Sequence, residues 1–336
     1  MRSSHLSAWS IAGQRKLLTR LLGGLLLSTL VCTPVIADPA MDWVQKMSDA
    51  MRNLSYQGDF VYMHNNRLEG MQITHFKDMQ GEKERLISLN GEAREVIRDN
   101  QNLTCIWPSS RKVIVDVSRK NSFSPIFIPE DIARLEKFYQ MTLVGKDRIA
   151  NMNTVIVHID PHDRYRYGMK FWINEDNGLM MKSSLLDENG EVIEEVMFTS
   201  LKIFADDDKP IIDTMPPIDD NFTLVRYHSG DSSKTFAADN AWQLSGMPGG
   251  FWRESVLRRK LPGSDQFVQQ MVYTDGLASL SVFIEKKSSL TQDSASSMGA
   301  VNAFIRLYND HSITAIGEVP AITVKLVAES IVYQPQ

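Results

Sequence analysis

Cysteine is almost absent: the 336 residues hold two, Cys32 and Cys105. Cys32 falls within an N-terminal leader, so Cys105 stands alone in the rest of the chain and an intrachain disulfide is excluded. With no Cys–His pairing in its local sequence, Cys105 reads as a buried structural thiol rather than a nucleophile. Long apolar runs are scarce as well. The conspicuous one, Leu21–Val31, is too short to cross about 30 Å of hydrocarbon. A basic excess is lacking: 36 Lys and Arg face 41 Asp and Glu, a formal charge of −5, which speaks against general nucleic-acid binding. Catalytic signatures are missing too. There is no HExxH and no nucleophile-elbow spacing, and Gly246-Met-Pro-Gly249-Gly250 lacks the lysine and following helix of a phosphate-cradling loop. No enzyme, no metal site and no cofactor is expected.

What is present begins with an export signal. Arg2, Arg15, Lys16 and Arg20 precede Leu21–Val31, and Val35-Ile36-Ala37 leads to Asp38, the pattern of a signal peptide cleaved after Ala37. A membrane anchor is the weaker alternative. No small residue precedes Cys32, so lipidation is not expected. Cleavage removes four basic residues and no acid, leaving 299 residues and taking the charge from −5 to −9. That length suggests two domains.

After the leader, Trp43, Val44, Met47, Ala50, Met51 and Leu54 recur at helical spacing, predicting an amphipathic helix over 41–54. Strand patterns follow at 56–65, 67–78, 82–88, 94–98, 103–107 and 112–117. They are separated by turns such as Asn65-Asn66, Gln80-Gly81 and Asn90-Gly91. Phe123–Ile128, with Pro125 and Pro129, reads as a loop or edge, and Pro129–Tyr139 as a short helix. Strands at 141–149 and 152–160 lead into a meander of three more, 165–173, 179–186 and 192–203. Its two turns end on Gly178 and Gly190. The meander strands are partly apolar on both faces, so a hydrophobic hollow on one side and a covering element on the other are expected.

The acidic, proline-rich stretch 206–220 (Asp206-Asp207-Asp208, Pro216-Pro217, Asp219-Asp220) reads as a linker. It divides a first domain, 38–205, from a second, 221–336. In the second, strands are expected at 242–245, 251–260, 266–274 and 277–286. Ser288–Ser297 reads as a mobile loop, Val301–Tyr308 and His311–Glu318 as a hairpin. A last helix begins at Pro320, with Ile322, Leu326, Val327 and Ile331 on its apolar side. The fold class is mainly β (α+β), an unclosed antiparallel barrel followed by a smaller β domain with a terminal helix.

Two clusters invite a functional reading. His158-Ile-Asp160-Pro-His162-Asp163 offers imidazoles and carboxylates, but the plain reading is a solvated strand end turning at Pro161. Arg253, Arg258, Arg259 and Lys260 form the dense basic patch of the chain. Two readings stay open for it, a charge-blunted edge strand and a docking surface for an acidic partner or phosphorylated glycolipid. Spacing places Arg253 and Arg259 on one strand face with Leu257, and Arg258 and Lys260 on the other with Val256.

Several stretches resemble one family across almost the whole chain after the leader, the RseB/MucB regulators of the sigma-E envelope-stress response. They are Leu89–Ile97, Tyr165-Arg-Tyr-Gly168, Asp176–Asp187, Gly246-Met-Pro-Gly-Gly-Phe251, Tyr273–Phe283 and Thr314–Pro320. The resemblance implies a periplasmic protein whose first domain is like the carriers LolA and LolB, with an apolar cavity. It also implies that the second domain contacts the periplasmic segment of a membrane anti-sigma factor of the RseA/MucA type. That contact would shield the anti-sigma factor from regulated proteolysis until envelope lipid or lipopolysaccharide displaces the regulator. Residues chosen for such a cavity by size and strand position are Phe60, Tyr62, Phe171, Trp172, Met180 and Phe198. Their plain alternative is ordinary core packing. A lipid or lipoprotein carrier and an exported lipid hydrolase are the rival functions; a homo-oligomer is compatible with the sequence.

Overall fold

The computed structural model describes residues 39–100, 102–117, 131–205, 208, 212, 221–227, 241–260, 267–286 and 292–334. The segment expected as a leader, Phe123–Ile128 and nearly all of the stretch 206–220 lie outside the described residues.

Helix α1 (Pro39–Asn53) forms where the apolar spacing predicts it and buries Ala40, Val44, Met47, Ala50 and Met51 along one stripe. Six strands follow: β1 (Tyr56–His64), β2 (Arg67–Asp78), β3 (Gly81–Ser88), β4 (Glu95–Asp99), β5 (Asn102–Trp107) and β6 (Lys112–Val117). A 3-10 turn, Ile132–Lys137, stands where a short helix is expected, its first turn capped by Asp131, whose carboxylate accepts from the Arg134 N–H. Then come β7 (Tyr139–Ile149), β8 (Met152–Pro161), β9 (Gly168–Asn174), β10 (Met180–Leu186), β11 (Val192–Ile203) and β12 (Thr223–Tyr227). All twelve belong to one sheet, ordered β12-β6-β5-β4-β3-β2-β1-β11-β10-β9-β8-β7. It is antiparallel throughout except for β12, which runs parallel to β6. The two ends, β12 and β7, do not pair with each other, so the curl is unclosed, as expected from sequence.

The placement of β12 departs from the sequence division. A boundary at 206–220 assigns Thr223–Tyr227 to the second domain, yet this strand extends the first sheet. The exposed hydrogen-bonding edge of β6 supplies a template that composition does not reveal. Ile212, from the same stretch, is buried with Phe76, Ile97, Ile106 and Val113.

Helix α1 lies against β2, β7 and β8, and its stripe joins Phe60, Phe171, Met180 and Phe198 in one core. Burying Val44, Met47 and Met51 contributes on the order of 5 kcal/mol at the usual transfer value. The turn between β9 and β10 fits close beneath the helix. Gly178 has φ +82°, and a Cβ there would stand 2.8 Å from Lys46 Cγ, so only glycine suits it.

The second lobe carries β13 (Trp242–Leu244), β14 (Trp252–Lys260), β15 (Phe267–Thr274), β16 (Ser279–Lys286), β17 (Ser294–Met298), β18 (Val301–Tyr308), β19 (His311–Glu318), α2 (Ala321–Ser330) and β20 (Ile331–Tyr333). Its six-stranded sheet has the order β14-β15-β16-β19-β18-β17, and β13 pairs with β20. Ser294–Met298 is strand, where Ser288–Ser297 is expected as a loop: small polar residues suit an exposed edge once β18 offers its hydrogen bonds. Helix α2 buries Thr323, Val324, Val327 and Ala328 against β18 and β19. Of the expected apolar side, Val327 and Ile331 are buried while Ile322 and Leu326 are half-buried, and Ile331 has already left the helix for β20.

Candidate functional site

The first meander strand begins at Gly168 rather than at the expected Tyr165, because Tyr165-Arg166-Tyr167 turn away to meet the second lobe. The Tyr165 carbonyl accepts from Thr323 Oγ1 at 2.9 Å. The Tyr167 hydroxyl accepts from Asn302 Nδ2 at 2.9 Å, a side chain that also donates to the Val319 carbonyl. Between them Arg166 is fully buried. Its Nε donates to Asp275 Oδ2 at 2.5 Å, and its terminal nitrogens donate to Asp163 and to the Gly249 carbonyl. The guanidinium lies 4.8 Å from the Phe251 ring, 5.1 Å from Phe138 and 5.7 Å from Tyr139, a cation among aromatic faces.

Asp275 is equally committed. Its Oδ2 also accepts from the Tyr139 hydroxyl at 2.8 Å, and its Oδ1 accepts the N–H groups of Leu277 and Ala278. Burial opposes the Arg166 charge, but the hydrogen bond and charge of Asp275 outweigh it and hold the guanidinium pKa above its ordinary value. Burial, then the Asp275 charge, pushes the Tyr139 phenol far up, so it remains a donor. Gly250, at φ +91°, lets the loop pass over Phe138, where a Cβ would come within 2.6 Å of the ring. A second contact joins the lobes elsewhere: the Ala300 N–H approaches Glu194 Oε1 at 3.3 Å, and Glu194 Oε2 accepts from the Tyr62 hydroxyl at 2.7 Å. The lobes thus share a desolvated, fully partnered polar seam. An arrangement of this kind holds one relative pose and loses several hydrogen bonds together if that pose changes.

The residues proposed for an apolar cavity separate into two groups. Phe60, Phe171, Met180 and Phe198 are each at most 2% exposed. Phe60 and Phe198 are ring partners at 5.5 Å across the β1–β11 pair, in the same core as the buried residues of α1. Tyr62 continues that face to its rim. Trp172 is on the opposite side of the sheet, half-buried, with its indole N–H donating to Asp147 and the Lys182 ammonium 4.5 Å over its ring. Among the described residues, the polar side chains of Asp147 and Lys182 meet Trp172 on the meander's second face.

The basic patch lies on β14, an edge of the second sheet. A bulge between Arg253 and Ser255 shifts the register, so Arg253 pairs with Tyr273, Val256 with Met271 and Arg258 with Gln269. Arg253 therefore shares a face with Val256 and Arg258, not with Leu257 and Arg259 as spacing predicts, because one extra residue inverts the alternation. Arg253 is exposed, and Arg258 lies 5.3 Å over the Phe267 ring. The side chains of Arg259 and Lys260 lie outside the description. In the acidic cluster His158 Nδ1 meets Asp160 Oδ2 at 3.0 Å, and burial pulls the imidazole below its ordinary pKa.

Reasoning from composition and spacing did not single out Arg166, Asp275 or Tyr139. The signal was a charged residue between two tyrosines where a strand should start, and the Asp275-Gly276 turn, both inside stretches that carry the family resemblance.

A large unclosed sheet packed with one helix is joined through a buried ion pair to a small sheet packed with another, a two-lobed fold. The chain belongs to the MucB/RseB family. The MucB/RseB N-terminal domain matches residues 39–218 and the MucB/RseB C-terminal domain residues 237–332. Sigma factor AlgU regulatory protein MucB of Pseudomonas aeruginosa is 32% identical over 322 residues, covering 91% of this chain and 95% of that protein. Sigma-E factor regulatory protein RseB of Escherichia coli is 25% identical over 293 residues, covering 86% and 89%. The structure of the Pseudomonas aeruginosa MucA/MucB complex superposes with a TM-score of 0.70 at 28% identity, over 89% of this chain and 100% of that one. The crystal structure of MucB gives 0.62 at 27% identity, over 88% and 98%.

Proposed function

We propose that this protein is a periplasmic negative regulator in a sigma-factor pathway, one that binds the periplasmic segment of a membrane anti-sigma factor and shields it from regulated proteolysis. The observation that carries this reading is the likeness to MucB of the MucA/MucB complex over both lobes. Export by a signal peptide cleaved after Ala37 and a first domain divided from the second near 206–220 belong to the same reading. The edge strand β14, with Arg253, Arg258, Arg259 and Lys260, is the proposed contact for an acidic partner, and electrostatics there predicts salt-sensitive binding. Envelope lipid or lipopolysaccharide is the proposed displacing ligand. Its acyl chain would be taken up at Phe60, Tyr62, Phe171, Met180 and Phe198, with Trp172 excluded by its position on the far face. That uptake requires the core to open, since four of these side chains are buried in one cluster with residues of α1.

The test is a reconstituted cleavage assay with the anti-sigma periplasmic fragment and its first protease. Slower cleavage on adding this protein, relieved by lipopolysaccharide, supports the reading; unchanged cleavage overturns it. In a pull-down of the same fragment, charge reversal at Arg258 and Arg259 is expected to weaken capture and to flatten its salt dependence. Unchanged capture would return β14 to a charged edge strand. Retention of lipid transport after deletion of residues 241–336, which spares β12, would favour a carrier instead.

A further inference from the structure

Helix α2 covers one face of the second sheet. Val324, Val327 and Ala328 pack there with Val282, Ile313 and Ala315, and Arg306 of β18 donates to the Glu329 carbonyl at 2.7 Å. Strand register assigns a different set to the opposite face: Phe283 on β16, Ile316 on β19, Val301, Ile305 and Leu307 on β18, and Met298 on β17. An antiparallel sheet with one wet face is polar at alternate positions. Here every outward position of β18, from Val301 to Leu307, is apolar. The first five of the set are half-buried and Met298 is 69% exposed, a patch rather than scattered single residues. Of the two helices, α1 packs against the first sheet and α2 on the far side of the second. The charges described on the open face have one sign. Glu285, the register partner of Ser312, stands at one end, and Glu318, the partner of Val301, at the other. Among the described residues neither carboxylate is paired with a cation. Glu194, which meets the Ala300 N–H at 3.3 Å, adds a third carboxylate at the Glu318 end.

We propose that this face docks a basic amphipathic helix of a partner polypeptide, the counterpart of α2 on the other side of the same sheet. Charge decides the occupant. A second copy packed about a two-fold axis presents the same patch, so it would set Glu285 and Glu318 against like carboxylates. A membrane surface rich in anionic lipid is repelled for the same reason. A helix with lysines or arginines beside its apolar stripe lays that stripe over Phe283, Ile316 and Ile305 and brings opposite charge to both ends. Complementary charge of this kind sets orientation and partner choice, while the apolar contact supplies the affinity. The surface is distinct from the basic edge β14, which suits an acidic partner, and it stands whether or not that edge binds one.

Methionine oxidation by peroxide, read residue by residue by mass spectrometry, reports on the face directly. In the free protein Met298 should oxidise almost as fast as Met79, which is 99% exposed in the first lobe, and far faster than Met271, 1% exposed. The probe is a synthetic peptide with leucines at helical spacing and lysines between them; its control carries glutamates in place of the lysines. The lysine peptide is expected to protect Met298 and leave Met79 unchanged, and the glutamate peptide to protect neither. Glu318→Lys should weaken binding of the lysine peptide about fivefold, the order of one exposed ion pair. Ile316→Thr, which keeps a β-branched residue in the strand, should weaken it about tenfold through lost apolar contact. Urea midpoints for both variants show whether the lobe still folds, and lysine-peptide affinity unchanged in both would overturn the proposal. Met298 as slow as Met271 in the free protein, or equal protection by the two peptides or at the two methionines, would also do so. So would protection that rises with protein concentration alone, the sign of a second copy, or protection by phosphatidylglycerol vesicles but not by the lysine peptide.

Discussion

Replacing Asp275 with asparagine preserves the shape of the side chain and removes its charge at the centre of the seam. One carboxylate oxygen now accepts from Arg166 at 2.5 Å and from Tyr139 at 2.8 Å, while the other holds the turn through Leu277 and Ala278. In Asp275→Asn the amide oxygen can keep the turn, which puts the amide nitrogen against the guanidinium, donor facing donor. Both Arg166 and Asp275 are fully buried, and removing one member of such a pair costs about 3–5 kcal/mol. Asp163 remains beside Arg166, which puts the expected loss near the lower bound, about 3 kcal/mol, or roughly 150-fold in an equilibrium constant. The assay is urea unfolding of the wild type, Asp275→Asn, Arg166→Met and the double variant. Removing both partners should be much less costly than the sum of the single changes, with a coupling of about 2 kcal/mol or more. Because the pair joins the two lobes, the single variants should also broaden or split the unfolding transition as the lobes lose cooperativity. A coupling below about 0.5 kcal/mol, with one sharp transition throughout, would refute the seam as the joint of the molecule.

Three further outcomes follow from the same geometry. Gly250→Ala forces a Cβ to within 2.6 Å of the Phe138 ring at φ +91°, so a loss of about 1–3 kcal/mol is expected by denaturant titration. Phe198→Ala removes a 1%-exposed ring from the core of the first lobe and should cost about 3–5 kcal/mol; a neutral result would mean that the packing is looser than described. Glu82 has its pKa lowered by His75 and Arg98 against the opposing effect of burial. A depressed carboxylate stabilises the fold above its unfolded value, near 4.5, and that stability disappears as the pH falls through the lower folded value. Glu82→Gln should therefore flatten the stability–pH curve below about pH 4.5 and leave its slope near neutrality to other groups.

Much of the architecture was legible in the residue pattern. Arg67–Asp78, Lys112–Val117, Val301–Tyr308 and His311–Glu318 are strands with the bounds that their alternation and flanking turns indicate, because local periodicity and turn chemistry act over a few residues. The errors share a cause. Ser294–Met298 and Thr223–Tyr227 are strands because another strand offers them an edge, and a hydrogen-bonding edge leaves no trace in the composition of the strand it recruits. The bulge in β14 inverted the expected face of Arg253 for the same reason: an extra residue is visible only against its partner strand.

Sequence by itself determined a mainly β chain with one thiol beyond residue 37, an acidic balance, a helix at each end of the described fold and the stretches that carry the family likeness. Tertiary structure decided what those stretches are for. Tyr165-Arg166-Tyr167, Gly249-Gly250-Phe251 and Asp275 are far apart in the chain and meet at one seam. A buried guanidinium needs carboxylates, carbonyls and ring faces from several segments at once, and only the folded chain can bring them together. It likewise buried Phe60, Phe171, Met180 and Phe198 in one core with residues of α1, a packing set by strand register that composition does not show.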